Sequence, residues 1–409
     1  MNIVIDGAYG FDNLGDEAML HTAIQIFRNS DLIDNISVSS CSPEKIKNFH
    51  GVNASRSLLL GNIIRQLRSF SFKAALSSFR FVCSTDVLVF AGGSILNDKK
   101  GYKDLLVILY KILLYRILGK QVMFWGVAFD QPSSRIGRFL LGNIVKLALL
   151  VIFRDEKSKK LTENLGWSQQ HVYSGVDILF SLLPWTAKLY SSKEKIIREN
   201  RQIGLSLRPY PPNIGCDVEE LDDSLCEKIV DYLSRLSDSL DNHLEVVPLI
   251  FSDGEGQKND RSMIERVETA LPNIVFKWPE VKISQCKNGE FNDLLEQYLS
   301  CIAGLDFVVG ERFHALVLAQ MLEIPYVAIS YDKKIDELAK LTNMDFFCIN
   351  LLSGLADDTL AQDLFDASYR VIDEHEQITC QLHDANVFIS AESKNNQAKL
   401  LAGLHALHQ

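Results

Sequence analysis

The chain has 409 residues, 47% of them hydrophobic, and carries a formal net charge of −10. A single hydrophobic core stops growing well before this length, so two or three domains are expected. The acidic balance lacks the basic footprint that binding to nucleic acid requires, and no nucleic-acid partner is expected.

The N-terminus opens as a strand, Asn2-Ile3-Val4-Ile5, without the basic and apolar regions of a signal peptide. A glycine-containing turn from Gly7 to Glu17 leads into a helix predicted over Asp16–Arg28. Between Gly51 and Thr85 there is no acidic residue, whereas Arg56, Arg65, Arg68, Lys73 and Arg80 are present. On a helical wheel Ile63, Ile64, Leu67, Phe70 and Ala74 share one face, and Arg65, Arg68, Lys73 and Arg80 occupy the other. Residues 56–80 therefore fit either peripheral contact with an anionic membrane or an ordinary surface helix with a solvated basic face.

Strands are predicted at Asp86–Ala91, Gln121–Ala128 and Leu149–Arg154, alternating with helices at Asp104–Leu118, Arg135–Lys146 and Lys157–Leu165. Charged residues from Lys111 to Lys146 interrupt the most apolar region before it reaches the roughly 18–20 residues of a bilayer span. Short runs of Val, Ile and Phe, each followed by a helix, indicate a parallel, doubly wound sheet. Residues 186–202 are polar and charged and read as a linker. The alternation then restarts, with strands at Ile203–Leu207, Glu245–Phe251, Val308–Gly310 and Tyr326–Ile329. Helices are expected at Asp222–Ser237, Arg261–Ala270 and His314–Leu322, and beyond Asp357 only helices. The expected organisation is α/β, with one Rossmann-like domain over residues 1–188, a second over 203–345 and a helical C-terminal segment over 346–409. The eight cysteines are scattered without a C-x-x-C pair, which supports neither a zinc ribbon nor a redox motif and fits reduced thiols in the cytoplasm.

Ligands of such sheets bind beyond the carboxyl ends of the strands, so the charged residues there are the candidates. Asp16 has two readings: with Glu17 it answers the helix dipole as a cap, or it is a base at the mouth of the cleft. Gly92-Gly93-Ser94 after the second strand lets either a ligand or another loop approach the backbone. The glycine spacing is not that of a dinucleotide fingerprint. Arg154 and Arg208 each follow a strand directly. In Gly310-Glu311-Arg312-Phe313-His314, the arginine offers a planar fork for carboxylate or phosphate and the histidine a proton near neutral pH. Lys333 and Lys334 add cations after Tyr331-Asp332.

In this order, Asn13-Leu14-Gly15-Asp16-Glu17-Ala18, Gly92-Gly93-Ser94, Arg154-Asp155-x-x-Ser158, Gly204 to Arg208, Arg312-x-His314-Ala315 and Tyr331-Asp332-x-Lys334 resemble the polysaccharide pyruvyl transferase family. The likeness runs to about residue 340 and is greatest to bacterial cell-wall members that modify a lipid-linked precursor. Phe313 departs from the leucine usual between the arginine and histidine. Gly175-Val176-Asp177 stands where Asp-Pro is common.

The resemblance implies a glycosyltransferase-B-like fold, with the acceptor on the first domain and the donor on the second. It implies phosphoenolpyruvate as donor, a sugar acceptor that can be lipid-linked, a pyruvate ketal as product, and neither metal nor cofactor. Carried over by motif, Asp16, His314 and Arg154 are the expected catalytic residues. Arg208, Arg312, His314 and Lys334 are expected to hold phosphoenolpyruvate, and Gly10, Asn13, Gly92, Gly93 and Ser94 to contact the acceptor or shape its loops. His314 is either the acid or a phosphate ligand. A sugar-nucleotide glycosyltransferase and a non-catalytic sugar-binding or scaffolding protein are the competing readings.

Overall fold

The computed structural model describes residues 1–56, 80–99, 101–167, 170–190, 199–210, 218–253, 259–280 and 290–408. The basic stretch expected over residues 56–80 lies, apart from its two end residues, outside the described residues.

The first sheet comprises β1 (Asn2–Asp6), β2 (Asn35–Ser40), β3 (Asn53–Arg56), β4 (Val87–Ala91), β5 (Gln121–Val127), β6 (Leu150–Phe153) and β7 (Val172–Tyr173). Its order is β3-β2-β1-β4-β5-β6-β7, and every pairing is parallel. The second sheet comprises β8 (Arg201–Ser206), β9 (Leu244–Pro248), β10 (Val275–Phe276), β11 (Phe307–Gly310), β12 (Tyr326–Ser330) and β13 (Cys348–Asn350), in the order β10-β9-β8-β11-β12-β13. Two parallel sheets covered by helices are the expected pair of Rossmann-like domains.

β4 shows why its sequence makes a central strand. Val87, Val89 and Ala91 enter one apolar cluster, while Leu88 and Phe90 enter the cluster on the opposite face. A strand covered by helices on both faces must be apolar at every position, as this one is. β5 alternates in the same way until Gly126, whose φ of 65° sits in a register shift between Trp125 and Val127. An added Cβ there would lie 2.4 Å from Ile178 Cγ1, so only glycine permits that approach.

The strands that the sequence pattern did not single out are short or polar. β7 and β10 have two residues each, and β2 buries only Val38, Ser39 and Ser40. The stretch expected as a linker also differs: helix Leu183–Tyr190 occupies its first part, and Leu183 and Thr186 are buried. The C-terminal helices join both halves. Helix Leu360–Asp373 packs on helix Val218–Ser239 of the second domain. Helix His375–His408 runs back to β6, the turn Ile178–Leu182 and helix Leu183–Tyr190 of the first.

Chain direction across each sheet reverses at one place, between β1 and β4 and between β8 and β11. Loops leaving neighbouring strands diverge there and open a crevice. The turns after β1, β4, β8 and β11 therefore carry the groups that face the cleft.

Candidate functional site

The turn after β1 is held from within and docked against the second domain. Helix Leu14–Arg28 is capped by Asn13, whose side-chain oxygen accepts from the Gly15 amide at 3.0 Å. The cap is therefore Asn13 and not Asp16, which frees the Asp16 carboxylate. Glu17 is fully buried, takes the Gly10 amide at 2.6 Å and faces His50 Nε2 at 2.9 Å. The Leu14 amide donates to the Phe251 carbonyl at 2.8 Å, and Asn13 pairs with Ser252, so the turn is stitched to the end of the second domain's β9 loop. The Gly10 amide and the Asn13 side chain are thus engaged inside the protein. Gly92 and Gly93 have φ of 71° and 81°, and their backbone bonds to Trp125 and Ala128 close the end of the sheet. Ser94 presents its hydroxyl to Arg154 Nη2 at 2.8 Å.

His314 begins helix Phe313–Met321 and crosses the domain boundary to lie on Gly15. A Cβ at Gly15 would stand 1.8 Å from His314 Nδ1, so absence of a side chain there makes room for the imidazole. His314 Nε2 is buried and has no hydrogen-bond partner among the described residues. Burial, and then the cations Arg154, Lys334 and Arg312, hold its pKa well below the ordinary histidine value. The surroundings accordingly favour the neutral imidazole.

Asp16 faces the same cluster from the first domain. Burial, then Glu17 beside it, push its pKa up to about 7, against the pull of Lys334 and Arg312. Among the described residues its carboxylate carries no hydrogen bond or ion pair. Arg154 leaves the end of β6, lies 4.7 Å above the Phe313 ring and has Asp177 3.6 Å from Nη1. Burial raises the pKa of Asp177, with Arg154 opposing. Lys334 opens helix Lys333–Leu341, with Nζ 5.8 Å from the Phe313 ring and 5.7 Å from that of Tyr331. Lys333, by contrast, is exposed.

Arg208 follows β8, donates to the Tyr331 hydroxyl at 2.7 Å and lies 5.0 Å from that ring. Burial works against ionisation of Tyr331, but Lys334 and Arg208 hold its pKa below the ordinary phenol value. The Arg208 amide and the Tyr210 hydroxyl both bond to Glu311, which is fully buried with a pKa raised to about 7 by that burial. Arg312 is differently placed. Its Nε and Nη2 form a fork on the buried Asp260, which also accepts the Phe251 and Ser252 amides at 3.0 Å. Much of the Arg312 donor capacity is therefore spent on tying its loop to Phe251–Ser252, the same segment on which the N-terminal turn docks.

Arg154, Lys334, His314 and Asp16 are brought together, with Arg208 joined through Tyr331. Asp260, Glu311 and Tyr210, which position the arginines, carry no sequence signal of their own, since ordinary acidic and aromatic residues acquire that role only through folding. Two cavities meet at Arg154 and Lys334. One, of about 400 Å³, is walled by Val176, Phe180, Phe313 and Phe388; the other, of about 640 Å³, by Ser94, Gln131, Lys157 and Lys333. Lys157 and Glu337 span the cleft at 3.3 Å, as do Lys99 and Asp332 at 3.9 Å. No group of three or more potential metal ligands occurs among the described residues.

This geometry, two Rossmann-like domains with polar groups converging in the crevice between them, defines a glycosyltransferase-B-like protein. Solved structures agree on the fold. The S. aureus MnaA–UDP co-structure superposes with a TM-score of 0.58 at 12% identity, covering 94% of this chain and 91% of that one. UDP-GlcNAc 2-epimerase from Neisseria meningitidis bound to UDP-GlcNAc gives 0.56 at 12% identity, covering 98% and 100%. Anabaena Alr3699/HepE in complex with UDP gives 0.54 at 12% identity, covering 99% and 100%. At such identities the likeness concerns the fold alone. No curated protein matches the chain. Residues 13–333 match the polysaccharide pyruvyl transferase family, and the chain belongs to it.

Proposed function

We propose that the protein transfers the pyruvyl group of phosphoenolpyruvate to two hydroxyls of one sugar, forms a pyruvate ketal and releases phosphate, acting at the cytoplasmic face of the membrane. The observation that carries this reading is the buried His314 Nε2, without a hydrogen-bond partner among the described residues, set among Arg154, Lys334 and Arg312 and near a carboxylate with a pKa of about 7. Phosphoenolpyruvate bears a carboxylate and a phosphate, and Arg154 and Lys334 against the Phe313 ring, with Arg208 and Lys334 against Tyr331, supply three cations to hold them. Preorganised cations in a crevice also stabilise charge that develops during the reaction.

In the reaction the methylene carbon of phosphoenolpyruvate gains a proton and the adjacent carbon becomes electrophilic. A sugar hydroxyl adds to that carbon and gives up its proton, the bond to phosphate oxygen breaks, and a second hydroxyl closes the ketal with loss of its own proton. Asp16 takes the hydroxyl proton. Burial and the neighbouring cations favour neutral His314, and a phosphate dianion beside it raises its pKa, so that it binds phosphate or delivers the proton.

The test is phosphate release from phosphoenolpyruvate with a panel of free and lipid-linked sugar acceptors, run beside thermal shifts with phosphoenolpyruvate and with UDP. Release with one acceptor and a shift with phosphoenolpyruvate are expected. No release with any acceptor and no such shift would overturn the proposal, and a shift with UDP alone would favour a sugar-nucleotide enzyme.

A further inference from the structure

Helices Lys103–Ile117 and Arg135–Leu147 cover the same face of the first sheet. Leu105, Ile108 and Ile112 from the first, and Leu140, Leu141 and Ile144 from the second, share one apolar cluster with β4 and β5. Their outer faces mix large apolar side chains with charged ones, where a solvated helix layer would be mainly polar. Leu106, Leu113 and Ile117 recur at spacings of seven and four and fall on one stripe of the first helix, and Ile117 is 81% exposed. On the neighbouring helix Ile136 and Phe139, one turn apart, are 51% and 67% exposed. Large exposed apolar side chains grouped on two helices that pack together mark an interaction site.

The rim decides what the surface meets. Lys103, Arg116, Arg135, Arg138 and Lys146 are exposed around it, against a single exposed acid on the two helices, Asp104. The whole chain is acidic, with a net charge of −10, so this basic rim is a local reversal. A second copy docking through the same patch about a two-fold axis would bring like-charged rims together. Anionic lipid headgroups satisfy the rim, while the apolar side chains enter the boundary below them. No described helix is long and apolar enough to cross a membrane, so the mode is contact and not spanning.

We infer that this two-helix face is a docking surface for an anionic lipid bilayer. Both helices begin at the carboxyl ends of their preceding strands, which is the cleft side of the sheet. Ile136 and Phe139, in the first turns of their helix, lie at the cleft end of the patch, the end at which a lipid-linked sugar would present itself. The inference stands on the patch and not on the reaction proposed above.

The experiment is flotation of the full chain with vesicles of phosphatidylglycerol and phosphatidylcholine, and with phosphatidylcholine alone. Binding is expected to the anionic vesicles only and to weaken with salt. Ile117→Ser with Phe139→Ser, and separately Arg135→Glu with Arg138→Glu, should each lower it about ten-fold or more while the circular dichroism spectrum is unchanged. These positions are exposed, so loss of folding is not expected. Absence of binding to anionic vesicles, or binding in both double variants equal to that of the unaltered chain, would overturn the inference. So would a dimer, seen by analytical ultracentrifugation, that Phe139→Ser dissociates.

Discussion

Asp16 and His314 do opposite things with burial. The same loss of solvent lifts the carboxyl to about 7 and lowers the imidazole, because each moves toward its neutral form. A base with that pKa works only when deprotonated, so turnover should rise with pH through about 7 and level off above it. In Asp16→Asn the residual rate should lack this limb; a pH profile identical in shape to the wild type would remove Asp16 from the base role. His314→Ala should lower kcat by about 100-fold or more if the imidazole transfers a proton. A near-normal kcat with a raised KM would instead make it a binding group.

Among the elements, helix Leu14–Arg28 gives the sharpest case of a residue chosen for what it omits. Gly15 lies in the first turn of a helix, where alanine is favoured by about 1 kcal/mol. Against that preference, overpacking a buried imidazole costs about 1–3 kcal/mol, so Gly15→Ala should lower the melting temperature by a few degrees without unfolding the protein. Its Cβ would lie 1.8 Å from His314 Nδ1, so the imidazole must move. Displacement of a reacting group by about 1 Å costs on the order of 100-fold, and the rate of phosphate release should fall by that much. Unaltered kinetics in a folded Gly15→Ala protein would show that His314 tolerates a different seat. Helix limits themselves were largely legible: Asp104–Leu118 was expected and Lys103–Ile117 is found, and Arg135–Lys146 differs at one end by one residue. The first helix starts at Leu14 and not at Asp16, because Asn13 and Asp16 are both competent caps in the sequence. Only the docking of Asn13 and Leu14 on Phe251–Ser252 selects between them.

At the scale of the molecule, the last helix is a structural tie between the domains. Ile378, Leu382, Ile389, Leu400 and Leu404 on helix His375–His408 are all buried. At about 1.5–3 kcal/mol each, their burial is comparable to the net stability of about 5–15 kcal/mol that a folded protein has. A chain ending at Glu374 should lose its cooperative urea transition or aggregate on expression. A soluble truncated chain with an unchanged midpoint would show that the tie is dispensable.

The sequence by itself determined the class of fold, since apolar runs with the period of strands, each followed by a helix, can only be buried by a sheet covered on both faces. It also determined where the chemistry-bearing residues fall, because they stand at the ends of those runs, and it carried the ordered motifs of the family. Tertiary structure alone decided how those residues are employed. Arg312 and Lys334 look equivalent as cations in the sequence, yet Arg312 is held by Asp260, 52 positions away, while Lys334 has no carboxylate partner among the described residues. Likewise Gly10 and Asn13 read as cleft residues, but their polar groups are engaged by Glu17 and by the helix start. Partners this distant, or in another domain, leave no periodic trace, because a hydrogen bond depends on where two groups meet and not on the residues that separate them.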